Sequence, residues 1–223
     1  MIFNYDDFVK ELLEVGFSMG GGNSEGIYSI IPWTWNESPP YETPVRWHTG
    51  DAETDPWEWR IRVLEERDDI AYGKFFFKKS GFITKEWYPY FLAARRGGTD
   101  FEEAYADGTI SHSAKRIYDI VKAHERLPLE EIKRLAGFSK DDKSAFDRAL
   151  TELQMKMFLT MCGRRQNTNW ASTVFCTTEI FFGEEVFEQA AKISSLDAKN
   201  KITAQVLKIN PTAQEKKILK FLI

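Results

Sequence analysis

Between Ser111 and Thr178 the chain spells helix, helix, helix, strand, strand with short joints, an order that few folds accommodate. In "SHSAKRIYDIVKAHER" the residues Ile117, Ile120, Val121 and His124 recur along one side of a helix. "LPLEEIKRLAGF" is a second, shorter helix after a sharp turn. "SKDDKSAFDRALTELQ" is a third, with Ser139 as N-cap candidate, Asp142 three residues later, and Phe146, Ala149, Leu150 and Leu153 on the face to be buried. "MKMFLTMCG" and "WASTVFCTT" have strand character and are joined by "RRQNTN". Three helices followed by a hairpin is the winged helix-turn-helix arrangement, which serves both as a DNA reader and as a protein-interaction module.

The rest of the chain reads as a mixture. A helix spans Tyr5 to Val15, with Phe8, Leu12 and Val15 at helical spacing and Asp6 and Asp7 in its first turn. "GFSMGGGNSEG" ends it as a loop without the lysine or the spacing of a phosphate-binding P-loop. "GIYSIIPWTW" reads as a strand and "NESPPYETP" as a Pro-rich loop. Asp55 followed by Pro56 starts a helix in which Trp57, Ile61 and Leu64 share a face. "DIAYGKFFF" is a strand, "FITKEWYPYFLAARR" a helix with Thr84 as N-cap candidate, and "FEEAYA" a short helix between glycine-rich breaks. In the tail, "TTEIFFGEEVFEQAAKI" and "SLDAKNKITAQVLKI" are helices. "NPTAQEKKILKFL" is another, capped by Asn210 or Thr212 and docked by Ile218, Leu219 and Leu222. The fold class is therefore α+β, mainly helical, with a winged helix-turn-helix in the C-terminal half. The expected division is 1–108, an α+β part; 109–182, the winged helix; and 183–223, a helical tail.

Charge narrows where a polyanion could sit. The net charge of −4 argues against indiscriminate nucleic-acid binding, yet its distribution is uneven. Residues 1–110 carry 11 Lys and Arg against 20 Asp and Glu, whereas residues 111–170 carry 12 against 8. A nucleic-acid partner is thus expected at the middle segment. Cys162 and Cys176 are too few for a disulfide framework and read as buried, reduced thiols, consistent with a cytoplasmic protein. No apolar run is long enough for a membrane span, and the N-terminus lacks the pattern of a secretory signal. His48, His112 and His124 are scattered and the cysteines lack metal-site spacing, so no metal and no cofactor is expected.

The candidate contacts lie on the third helix and the hairpin. Lys143, Arg148 and Lys156 project from the helix and the residue that ends it, among carboxylates that repel phosphates. Arg164 and Arg165, with Gln166, Asn167 and Asn169, form a polar hairpin tip whose donors suit phosphates and groove edges. Lys115, Arg116, Lys122, Lys133 and Arg134 add positive surface on the first two helices. The aromatic rings of 55–91 belong mostly to the core, leaving Lys78, Lys79, Arg95 and Arg96 as that stretch's polyanion candidates. Glu65, Glu66, Asp68 and Asp69 could place a carboxylate pair beside a cleft, where such pairs activate water or hold a divalent ion.

Three stretches, "YGKFFFKKSGFITKEWYPYFLAARR", "AKRIYDIVKAHERLPLEEIKRLAGF" and the hairpin ending "TTEIFF", resemble the winged-helix DNA glycosylases of the AlkZ type (YcaQ-like proteins) over Tyr72 to Phe182. The chain is most similar to short, divergent relatives of that family. The resemblance implies a winged-helix fold and DNA as partner. It departs from the family where catalysis is concerned. The family's Gln-x-Gln motif, which positions a water at the sugar carbon, has no counterpart beyond the fragment Gln154-Met155-Lys156, and Lys78-Lys79 replaces the His-Glu pair. The expectation is a nucleic-acid-binding protein with little or no glycosylase activity and no assignable catalytic residue. The alternatives are an active glycosylase in base excision or crosslink repair, using carboxylates or Gln154, and a module that meets a protein partner.

Overall fold

The computed structural model describes residues 1–21, 27–31, 38–166 and 171–223. Helix α1 (Tyr5–Val15) starts where the Asn4 side chain accepts the Asp7 amide proton, and it buries Phe8, Leu12 and Val15 at helical spacing. It stops at Gly16, which has φ 91°. A Cβ there would lie 2.1 Å from the Trp87 indole, so the left-handed cap and the close approach both require glycine. Strand β1 (Phe17–Met19) follows at once. Helix α2 (Pro56–Glu66) begins on Asp55, a buried carboxylate that accepts the amides of His48, Gly50 and Trp57. Strands β2 (Ile70–Phe76) and β3 (Lys79–Thr84) form a hairpin through Phe77 and Lys78, both at positive φ (52° and 62°), as a two-residue type I′ turn requires.

Helices α3 (Tyr88–Arg95) and α4 (Phe101–Ala106) lead to α5 (His112–His124), β4 (Arg126–Pro128), α6 (Leu129–Leu135) and α7 (Lys143–Met155). Strands β5 (Leu159–Gln166) and β6 (Ala171–Thr177) come next, then α8 (Thr178–Phe182), α9 (Glu185–Ala191), α10 (Ser195–Ile209) and α11 (Glu215–Phe221). The six strands make one antiparallel sheet in the order β1-β3-β2-β5-β6-β4. Its two halves meet at β2 and β5, where Tyr72 lies opposite Met161 and the Thr160 hydroxyl donates to the Tyr72 carbonyl at 3.3 Å. Side chains alternate across the sheet. Ile70, Tyr72 and Phe82 pack with Phe8 and Leu12 of α1 and Trp59 and Val63 of α2. Ala71, Phe75 and Ile83 join Tyr88 and Phe91 of α3, Ile202 of α10 and Phe221 of α11. A third cluster unites Ile117, Val121, Phe146 and Leu153 of α5 and α7 with Leu159 and Phe175 of the β5–β6 hairpin. The fold is α+β.

Several local expectations are corrected. Trp59, not Trp57, points into the core; Trp57 is exposed and lies under the Arg60 guanidinium at 3.4 Å. Two tryptophans two residues apart fall on nearly opposite sides of a helix, and Trp59 is the one in line with Val63. Thr84 does not cap a helix. It ends β3, donating its amide to the Gly16 carbonyl at 2.9 Å, and α3 begins only at Tyr88. Residues 17–19, expected in a loop, form β1. Residues 27–31 of the expected strand are not in one, and the other residues of that stretch lie outside the described residues. The helix expected across 177–193 is divided at Gly183 into α8 and α9. Leu219 faces outward, and α11 docks through Ile218, Phe221 and Leu222. Its N-cap is Gln214, because the Asn210 side chain accepts from Thr212 instead. Asp142 holds the N-cap position of α7, and Ser139 donates both its amide and its hydroxyl to the Asp142 carboxylate. His124 is exposed, not part of the buried side of α5.

Candidate nucleic-acid interface

The C-terminal turn of α7 is where separate parts of the chain converge. The Gln154 side chain accepts the Lys74 amide of β2 at 3.0 Å, and the Lys78 amide at the β2–β3 turn approaches Met155 Sδ at 3.3 Å. Arg95, at the end of α3, donates to the Met155 carbonyl at 3.0 Å and to the Phe221 carbonyl at 2.9 Å. These contacts fix the hairpin tip beside the outer face of α7 and leave a groove of about 1010 Å³ between them.

That groove brings together the three helix residues expected to contact a polyanion. Lys143, Arg148 and Lys156 line it, joined by Lys74 and Lys78 from the hairpin. Among the described residues, none of these five side chains is held in an ion pair; Arg148 donates to the Ser144 hydroxyl at 2.7 Å. Three carboxylates share the lining, Asp141, Asp147 and Glu152. Glu152 is engaged, accepting from the amide and the hydroxyl of Ser111 at 2.9 and 2.7 Å. Lys156 also sits at the C-cap of α7, where a cation complements the helix dipole. The groove therefore carries an excess of unpaired positive charge on a rigid helix and hairpin. Such a surface attracts phosphates and releases counterions when it meets them.

The hairpin residues lie elsewhere and are differently engaged. Arg164 is 3.3 Å from Glu65, and Arg165 is 2.6 Å from Glu131. Part-exposed pairs of this kind hold only about 0.2–1 kcal/mol, but each places a carboxylate where a phosphate would have to go. Gln166 closes β5 in register with Ala171. Asn167 and Asn169 lie outside the described residues.

The acidic stretch is likewise occupied. Glu65 meets Arg164, Glu66 meets Arg62 at 2.9 Å, and Asp69 meets Arg67 at 2.6 Å. These three carboxylates each answer an arginine. Gln154 is buried, with Oε1 taken by the Lys74 amide and Nε2 donating to the Leu150 carbonyl at 3.1 Å. Both ends of its amide are thus engaged in holding the fold together. Among the described residues no cluster of His, Cys, Asp and Glu could hold a metal ion, and no helix is long and apolar enough to cross a membrane. Cys162 and Cys176 are both free and buried.

A family model described as AlkZ related matches residues 2–223. The chain belongs to the AlkZ-related family. No curated protein and no solved structure matches it. Membership extends the likeness seen in Tyr72–Phe182 over the whole AlkZ-related chain and links it to DNA-repair glycosylases. It also gives the groove its context. The stretch around "YGKFFFKK" supplies Lys74 and Lys78, and the helix after it supplies the Arg95 contact that anchors α7. Lys78 was legible as a polyanion candidate of this AlkZ-related sequence. Lys74 was not, because it reaches the groove only through pairing with Gln154, 80 positions away in sequence.

Proposed function

We propose that this AlkZ-related protein binds nucleic acid, DNA in the first instance, through the groove between α7 and the β2–β3 hairpin tip. In this reading α5, α6, α7 and the β5–β6 hairpin act as a winged helix. Helix α7 lies along the backbone of the bound strand, and the wing is a secondary contact. One observation carries the proposal: five cations from two distant parts of the chain line one groove without ion-pair partners. Lys143, Arg148 and Lys156 neutralise phosphates from one wall, and Lys74 and Lys78 from the other. The engaged state of Gln154 and of Glu65, Glu66 and Asp69 supports little or no glycosylase activity. Two unbridged thiols fit a cytoplasmic setting.

The test is a titration of duplex and single-stranded DNA against salt. Replacing Lys143 and Arg148 together by Gln should weaken binding and lower the slope of log K against log salt by about 1.8, at about 0.9 per phosphate contact on duplex DNA. Arg164→Ala with Arg165→Ala should change affinity less, because those side chains already face carboxylates. Unchanged affinity and slope in the Lys143/Arg148 variant would remove the groove from the reading. Abasic product from any member of a panel of alkylated or crosslinked DNAs would overturn the non-catalytic part.

A further inference from the structure

Next to the groove lies a smaller recess of about 200 Å³, and Lys156 lines both. Arg95, Arg96, Thr99 and Thr109 line the recess as well, with Asp107 as its carboxylate. The positive charge there is poorly answered. Among the described residues Arg95 contacts two backbone carbonyls and no carboxylate and its Nε has no hydrogen-bond partner, and burial lowers the guanidinium pKa to about 10. Arg96 stands 3.7 Å from Glu179, too long for a hydrogen bond. Its Nε donates to the Thr99 carbonyl at 3.2 Å, and its guanidinium lies 4.3 Å from the Phe158 ring centre. A part-buried cation such as Arg95, answered by carbonyls alone among the described residues, is unfavourable, and the field of the recess cations is concentrated by low-dielectric walls.

We infer that this recess is a phosphate site, and that it receives the terminal phosphate monoester of a nucleic-acid strand lying in the groove. Arg95, Arg96 and Lys156 face Asp107 in the lining and Glu179 beside Arg96, so the recess keeps a net positive charge that favours an anion. The recess has about one fifth of the groove's volume, which suits a compact group better than a phosphate flanked by sugars on both sides. Thr99 lines the recess, the Thr109 hydroxyl there donates to the Ala104 carbonyl at 2.8 Å, and Lys156 links the recess to the groove. The strand-end part of the inference rests on the groove reading; the phosphate site itself does not.

The experiment compares oligonucleotides of one sequence ending in a 5′-phosphate, a 3′-phosphate or hydroxyls. In parallel, it measures thermal stability in inorganic phosphate against chloride at matched ionic strength. A phosphorylated end should bind about tenfold more tightly, equivalent to about 1.4 kcal/mol. Inorganic phosphate should raise Tm beyond chloride. Asp107→Asn, at an exposed position, should widen the difference between ends, and Thr99→Val should narrow it. The Lys143/Arg148 double variant should weaken all oligonucleotides while keeping their ratio. Equal affinity for phosphorylated and hydroxyl ends, with no stabilisation by phosphate, would overturn the inference and leave the groove reading intact. Stabilisation by phosphate without any oligonucleotide affinity would assign the recess to a free phosphate compound, overturning the strand-end part together with the groove reading.

Discussion

Gln154 joins two parts of the chain through one amide group. It accepts from the Lys74 amide of β2 and donates to the Leu150 carbonyl in its own helix. A leucine there would keep the volume but leave the Lys74 amide without this partner. Gln154→Leu should therefore destabilise the fold by about 1–3 kcal/mol, measured by urea unfolding. It should also loosen the Lys74 side of the groove, seen as weaker DNA binding at low salt. From sequence, Gln154 is the nearest fragment of a catalytic motif and a candidate stand-in for it. Its burial depends on a strand 80 positions away, and no local pattern reports that. Trp57 and Trp59 show the same limit: spacing places Trp57 on the buried face with Ile61 and Leu64, but packing with Phe8 and Val63 buries Trp59 instead. Asp55 was legible because its signal is local, a capping carboxylate before a proline.

Among the elements, those fixed by neighbouring residues were readable and those fixed by distant ones were not. The periodicity of Phe8, Leu12 and Val15, and of Phe146, Ala149, Leu150 and Leu153, announced α1 and α7. Strands β1 and β3 were missed because their pairing is with each other and with β2, while "FITKEW" carries a cap-like threonine that suggests a helix. The β5–β6 hairpin was expected, but its irregularity was not. Its register steps from Met161 opposite Phe175 to Gly163 opposite Val174, leaving Cys162 without a residue across from it. Gly163 takes φ 147° at this bulge, and a Cβ there would meet no atom within 4 Å. Gly163→Ala should thus cost about 1–3 kcal/mol through backbone strain alone. Thermal unfolding would measure the loss, and faster hydrogen exchange in β5 and β6 would place it. A neutral substitution would show that the bulge relaxes.

At the level of the whole molecule, the buried tyrosines couple folding to alkaline pH. Burial pushes the Tyr5 and Tyr28 hydroxyls up to about 12 and raises those of Tyr88 and Tyr118 as well. The unfolded chain ionises these groups near the ordinary value of about 10. Their contribution to stability is therefore complete below pH 10 and is lost as pH rises toward 12 and beyond. Cooperative unfolding is expected in that window, with phenolate absorbance and loss of helical signal rising together. Phenolate appearing well before the helical signal falls would count against this coupling. Tyr5→Phe should reduce the effect at little cost to stability, since the Tyr5 hydroxyl has no hydrogen-bond partner. The continuity of the six strands across the chain also has a bearing on association between copies. The outermost strands, β1 and β4, are each three residues long, and Pro128 in β4 has no amide proton to offer. The longer strands β2, β3, β5 and β6 lie between them in the sheet order. Among the described residues the two end strands thus offer another copy short edges on which to add a strand, which limits templated aggregation there.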